Sequence, residues 1–83
     1  MTRMKNTPQT VSAAESLAGT TWEVQGDVRE ITRVKNAELS PYDRSTILAD
    51  IFWRKPGGKE RANPTPLTTF RTWLNKASQI TQD

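Results

Sequence analysis

The chain has 83 residues, 34% of them hydrophobic, and a formal net charge of +3, with no cysteine and no histidine. Its length suits a single domain, and its low apolar content suggests that part of it is disordered or completed by a partner. Without cysteine no disulfide can form, and residues 1–10 carry no signal-peptide pattern, so we expect a cytoplasmic protein. Without histidine or cysteine the commonest bases, nucleophiles and zinc ligands are missing, so we expect no enzyme, no catalytic residues, no metal and no cofactor.

The N-terminal segment 1–10 is polar and predicts a flexible arm. We expect residues 11–80 to form a single small helical domain and residues 81–83 to be a frayed tail. A capping box at Ser12 to Glu15 predicts the start of a first helix, which should end at Gly19.

The segment from Thr20 to Gln25 allows two interpretations. Trp22 and Val24 alternate with polar residues, which is typical of a short strand. A helix beginning at Thr20 would carry Gly26 in its interior, which costs about 1 kcal/mol. The strand is therefore slightly favoured.

Three further helices follow in the prediction. Apolar residues recur every third position from Val28, which predicts a helix from Asp27 to about Glu38. The pair Ser40-Pro41 is a strong start signal for a helix over 41–55. A repeat of that signal at Thr65-Pro66 predicts a last helix ending near Ser78.

The expected fold is therefore mainly α, a small bundle of three to four short helices with room for one short strand near Trp22. The longest apolar-rich stretch, 47–53, contains Asp50 and is too short to span a bilayer, so no membrane partner is expected. The predicted core consists of apolar residues on the last two helices: Ile47, Leu48, Ile51, Phe52, Leu67, Phe70 and Leu74.

The charge is unevenly distributed along the chain. Residues 11–52 hold four basic and seven acidic side chains, whereas residues 53–77 hold six basic ones and a single acid. Lysine and arginine neutralise phosphates, so this segment indicates nucleic-acid binding, with DNA favoured over RNA, by a small regulator or accessory factor. The candidate contacts are the basic residues of the 54–61 loop and the last helix: Arg54, Lys55, Lys59, Arg61, Arg71 and Lys76.

An alternative function is a protein-interaction module that covers an acidic partner surface, as an adaptor, inhibitor or subunit. The three tryptophans fit it, because tryptophan and arginine dominate interface hot spots. In either function Trp53 and Trp73 are more simply core residues than ligand contacts.

A strand at 21–25 followed by helices at 27–38 and 41–55 resembles the ribbon-helix-helix DNA-binding proteins. The segment Arg44 to Leu48 falls where that family has a basic and hydroxyl pair opening its second helix. The resemblance implies a homodimer whose paired strands enter the major groove. The chain departs from the pattern because Glu23 would face the DNA and the C-terminal 28 residues have no counterpart.

Overall fold

A computed structural model describes residues 6–80 as one antiparallel sheet with two short helices. The strands are β1 (Thr21–Val24), β2 (Asp27–Leu39), β3 (Ile47–Arg54), β4 (Thr65–Pro66) and β5 (Ser78–Ile80). The helices are α1 (Val11–Glu15) and α2 (Leu67–Leu74), and the strand order in the sheet is β4-β3-β2-β1-β5. The predicted helical bundle is therefore wrong, because the chain is mainly β.

The first hairpin shows why the second predicted helix does not form. β1, the strand favoured at Thr21 to Gln25, pairs with β2 through Val24 and Asp27, which leaves Gln25 and Gly26 as a two-residue turn. Both turn residues have positive φ, 48° and 87°. Paired left-handed residues of this kind match the twist of a hairpin, so Asp27 begins a strand instead of capping a helix.

β2 imitates a helix because it contains two β-bulges. The pairing with β3 shifts between Ile31 and Arg33 and again between Lys35 and Glu38. Each bulge adds one residue, so the core-facing positions Ile31, Val34 and Ala37 are three apart instead of two. Apolar residues spaced three apart predict a helix, although the backbone of β2 is extended.

β3 replaces the predicted helix over 41–55. Burial alternates along it, with Ile47, Ala49, Ile51 and Trp53 buried, whereas Leu48 and Phe52 on the other face are half-buried. The predicted core was therefore wrong in placing Leu48 and Phe52 beside Ile47 and Ile51. The remaining core positions of that prediction, Leu67, Phe70 and Leu74, are buried.

The Ser40-Pro41 signal starts a turn and not a helix. Ser40 Oγ accepts from the backbone N–H of Tyr42, and the Arg44 N–H donates to Ser40 O at 2.9 Å. Arg44 then has φ 56°, which ends the turn after one helical bond. Because 27–38 is extended and 41–55 consists of a turn followed by β3, the ribbon-helix-helix resemblance is overturned.

The two helices cover one face of the sheet. α1 is capped by Thr10, whose side chain accepts from the Ala13 N–H, and not by Ser12 as the capping box suggested. α2 turns Leu67, Phe70 and Leu74 into the core, as its apolar spacing predicted, but ends at Leu74 instead of near Ser78. Ser78, the expected end of that helix, instead begins β5, which pairs with β1.

Part of the expected N-terminal arm packs against the C-terminal part of the domain. Residues 1–5 of the expected arm and the expected tail 81–83 lie outside the described residues. The Asn6 side chain donates to Leu74 O at 2.8 Å and to Ala77 O at 2.9 Å, and Pro8 is buried. Among residues 6–80, neither helix is long or apolar enough to cross a membrane.

Candidate functional site

The six basic residues singled out in the sequence do not form one group. Lys55 and Arg61 flank Trp53 at one end of the sheet. Arg54 projects from the sheet face opposite the helices, where its Nε donates to Glu30 Oε1 at 2.7 Å. Arg71 borders a shallow pocket beside Ser45 to Ile47, on another side of α2.

The densest group of cations surrounds Trp53 and includes a residue that the sequence did not single out. The guanidinium carbon of Arg29 lies 4.3 Å from the ring centroid of Trp53 and 4.4 Å from that of Trp73. The guanidinium carbon of Arg61 lies 4.4 Å from the Trp53 ring. Cations at this distance are attracted by the ring quadrupole. We call Arg29, Trp53, Lys55, Arg61 and Trp73 the Trp53 cluster.

Strand pairing places Arg29 in this cluster. In β2 it lies two residues before the buried Ile31, on the face that the helices cover, and its pairing partner is the buried Trp22. Alternation therefore directs a charged side chain towards the core, where the aromatic rings of β3 and α2 sandwich its plane. Its side chain is 22% exposed, and its Nε is buried without a hydrogen-bond partner.

Asp27 is the carboxylate at the cluster. It forms ion pairs with Lys55 and with Arg29, the latter at 3.2 Å, and accepts from Trp73 Nε1 at 3.2 Å. The hydrogen bond from Lys55, helped by the charges of Arg29 and Lys55, holds the pKa of Asp27 below its ordinary value of 3.8, against the opposing effect of desolvation. One carboxylate thus forms salt bridges with two cations, and the Trp53 cluster keeps a net positive charge.

The loop after β3 adds to that surplus. Gly57 has φ 76°, and the Gly58 N–H donates to Lys55 O at 2.8 Å, so Lys55 to Gly58 form a tight turn. The left-handed φ at Gly57 favours glycine. Lys59 follows on the exposed side of this loop, and the Arg61 N–H then donates to Trp53 O at 3.2 Å.

The acidic residue of the loop points away from the cluster. Glu60 accepts a hydrogen bond from the Thr32 hydroxyl and forms a salt bridge with Arg33 at 2.5 Å. The Arg33 guanidinium carbon lies 4.3 Å from the ring centroid of Phe52. The hydrogen bonds from Arg33, chiefly, and from Thr32 lower the pKa of Glu60. Together with the salt bridge between Arg54 and Glu30, these contacts pair arginines with acidic residues on the sheet face opposite the helices.

The sequence therefore singled out the 55–61 members of this group of cations but not Arg29. Arg54, on the opposite face and paired, is separated from the cluster, and Arg71 is separated by α2. Lys76 is exposed just after the end of α2. Among residues 6–80, no three acidic side chains come together in a way that could hold a metal ion.

Comparisons of this chain with protein-family models, with curated proteins and with solved structures gave no match. Function is therefore inferred from the surface of the molecule itself.

Proposed function

We propose that this protein is a small nucleic-acid-binding regulator or accessory factor that contacts phosphates through the Trp53 cluster and Lys59. The observation that carries the proposal is the charge balance at this end of the sheet. Among residues 6–80, the cations of Arg29, Lys55, Lys59 and Arg61 outnumber the one carboxylate in contact with the Trp53 cluster, that of Asp27, which pairs with Arg29 and Lys55. A polyanion gains affinity there by releasing counterions.

The geometry favours phosphate contact over base stacking. Trp53 is only 5% exposed, and guanidinium groups from Arg29 and Arg61 already lie against its ring. Bases stack on aromatic faces that are open to solvent, which this ring is not. Binding at this site should therefore depend on phosphate charge and salt much more than on base sequence, and DNA remains the favoured polyanion.

The two residues that best test the proposal are Lys59 and Arg61. Both are exposed, whereas replacing Lys55 with an acid would place it beside Asp27 and could disturb the fold. We expect Lys59→Glu and Arg61→Glu each to weaken binding of a fluorescein-labelled DNA duplex in anisotropy titrations. Each lost phosphate contact should also reduce the slope of log K against log salt by about 0.9.

A matched control is Lys35→Glu, an exposed cation of β2 that lies beside Phe52 instead of Trp53. It makes the same change in net charge and should weaken binding much less. Arg71→Glu and Lys76→Glu measure the contribution of the last helix in the same assay. Equal effects of Lys35→Glu and Arg61→Glu, or no binding by the unaltered protein at low salt, would overturn the proposal.

A second candidate function is a non-enzymatic protein-interaction module. Tyr42 is 96% exposed and Leu39 is 47% exposed, and exposed apolar side chains of this size favour protein contact. The two functions separate on purification. A nucleic-acid binder carries a 260 nm absorbance excess that high salt removes, whereas an adaptor captures one protein in fixed stoichiometry. For either function we propose a cytoplasmic location, since the sequence contains no cysteine.

A further inference from the structure

The turn between β2 and β3 carries the largest exposed apolar side chains of the described residues. Leu39 and Tyr42 lie at this end of the hairpin, with Pro41 and Arg44 also exposed. We call residues 39–46 the hairpin tip. Burying a tyrosine typically removes about 150–250 Å² of surface from water, so an uncovered Tyr42 contributes almost none of that to folding.

The hairpin tip is held in one conformation by hydrogen bonds. Asp43 Oδ1 accepts from the backbone N–H groups of Ser45 and Thr46 at 3.0 and 2.9 Å, and Asp43 Oδ2 accepts from Thr46 Oγ1 at 2.7 Å. Ser40 accepts from the N–H of Tyr42 at 3.2 Å. The exposed tyrosine is therefore presented on an ordered turn, which reduces the entropy lost when it is buried by a partner.

A groove of complementary character lies on the same hairpin. Its volume is about 420 Å³, and it lies beside the second bulge of β2. β4 pairs with β3 only at Asp50 and Ile51, which leaves this edge of the hairpin accessible. Leu48 and Pro66 supply most of the groove's apolar surface, because Ala49 and Leu67 at its floor are almost fully buried. Its polar lining consists of Glu38, Thr68 and the pair of Asn36 and Asp50, in which Asn36 Nδ2 donates to Asp50 Oδ2 at 2.8 Å. We call this feature the hairpin groove.

We propose that two copies of this chain associate through their hairpins, with Tyr42 of each copy seated in the hairpin groove of the other. The aromatic ring then covers the apolar lining, and the exposed Arg44 meets the carboxylates of Glu38 and Asp50. The carboxylate of Asp43 accepts hydrogen bonds within its own turn, so Arg44 is the charge that the hairpin tip offers to a partner, and its attraction to the acidic groove fixes the orientation.

A second copy is the occupant because one hairpin carries both complementary surfaces. A two-fold axis between the tip and the groove brings each tip to the other copy's groove at the same time, so every contact occurs twice. Tyr42 and the groove residue Glu38 are four residues apart and therefore lie at most roughly 14 Å from each other, which allows the tip and the groove of one copy to take part in the same interface. The contact is small, so we expect a weak dimer that forms as concentration rises.

The test is sedimentation equilibrium of the full chain from micromolar to millimolar concentration. The unaltered protein should rise from its monomer mass of 9.4 kDa towards twice that value. We expect Tyr42→Ala and Arg44→Glu to raise the dissociation constant at least about tenfold, which corresponds to 1.4 kcal/mol. Both side chains are exposed, so the melting temperature of dilute samples should change little.

A charge swap makes the test specific. The double variant Arg44→Glu with Glu38→Arg restores the opposite charges in the reverse order and should recover most of the association. The control Lys59→Glu lies outside the hairpin and should dimerise as the unaltered protein does. A chain that stays monomeric throughout, a Tyr42→Ala variant that dimerises normally, or a double variant no better than Arg44→Glu would overturn the proposal.

Discussion

Replacing Arg29 tests whether the Trp53 cluster stabilises the fold, and the structure gives the expected magnitude. Its guanidinium lies within 4.4 Å of two ring centroids, and cation–π contacts in partly desolvated sites are worth about 1 kcal/mol each. The pair with Asp27 adds little, because that carboxylate is 32% exposed. The aliphatic part of the side chain packs between the rings and contributes about 1 kcal/mol more. Arg29→Ala should therefore lower the free energy of unfolding by about 3 kcal/mol.

The variant Arg29→Met separates charge from packing. Methionine keeps the apolar stem between the rings but loses the cation, and it also removes the buried Nε that has no partner in the structure. An unsatisfied buried donor costs about 1 kcal/mol or more, so the net loss for Arg29→Met should be only about 1 kcal/mol.

Urea and thermal unfolding followed by tryptophan fluorescence measure both Arg29 variants. In a domain of this size 1 kcal/mol shifts the melting temperature by about 4–8 °C. This prediction is refuted if Arg29→Met lowers the free energy of unfolding as much as Arg29→Ala does, because the charge would then account for the whole effect. It is also refuted if Arg29→Ala changes stability by less than about 0.5 kcal/mol, since the cluster would then not be part of the core.

Three further predictions test the fold and its charges. Gln25→Asn should raise the free energy of unfolding by about 0.5 kcal/mol, because asparagine adopts the positive φ of this turn more readily; a loss on urea unfolding would contradict the turn assignment. Ala49→Asp should destabilise by at least about 3 kcal/mol and Leu48→Asp by about 1 kcal/mol or less, since alternation buries only the first; the reverse order in thermal melts would indicate a helix. The lowered pKa of Asp27 stabilises the fold above pH 3.8, and this stabilisation is lost as the pH falls through the folded-state pKa. Asp27→Asn should therefore reduce the fall in unfolding free energy at acid pH, and an unchanged fall would contradict the ion pairs.

The sequence predicted α2 because most of its apolar residues fall on one helical face. Leu67, Phe70 and Leu74 recur at helical spacing, Thr65-Pro66 precedes them, and the positions between them are polar except for Trp73. The strand at Trp22 was likewise found from alternation that ends at Gly26.

β2 and β3 could not be identified from spacing alone, for two different reasons. In β2 the two bulges turned the period of two into Ile31, Val34 and Ala37, which reads as one face of a helix. In β3 both faces carry apolar residues, so the run from Ile47 to Trp53 fits either period. The β-favouring residues of both segments are a signal for strand. The apolar spacing of β2 and the start signal at Ser40-Pro41 before β3 each pointed to a helix instead.

The site was predictable where it is local and not where it depends on pairing. Lys55, Lys59 and Arg61 lie close together in the sequence, and the structure leaves them on one loop. Arg29 joins them through strand register, and Arg54 leaves them because the next residue in a strand points to the opposite face. Composition therefore indicated a basic segment but could not tell which cations would be paired with acids.

The two proposed surfaces lie at opposite ends of β3, since the hairpin tip adjoins Ile47 and the Trp53 cluster surrounds Trp53, roughly 20 Å away along the strand. In the proposed dimer each tip overlaps the partner's groove at Leu48 to Asp50, so the two clusters lie on its far sides, roughly 33 Å apart. A duplex long enough to reach both, more than about 10 base pairs, would gain affinity from effective concentration, whereas a shorter one would not. Tyr42→Ala should consequently weaken binding of long duplexes and leave binding of short ones unchanged. Equal losses for both lengths would mean that Tyr42 contacts the DNA itself.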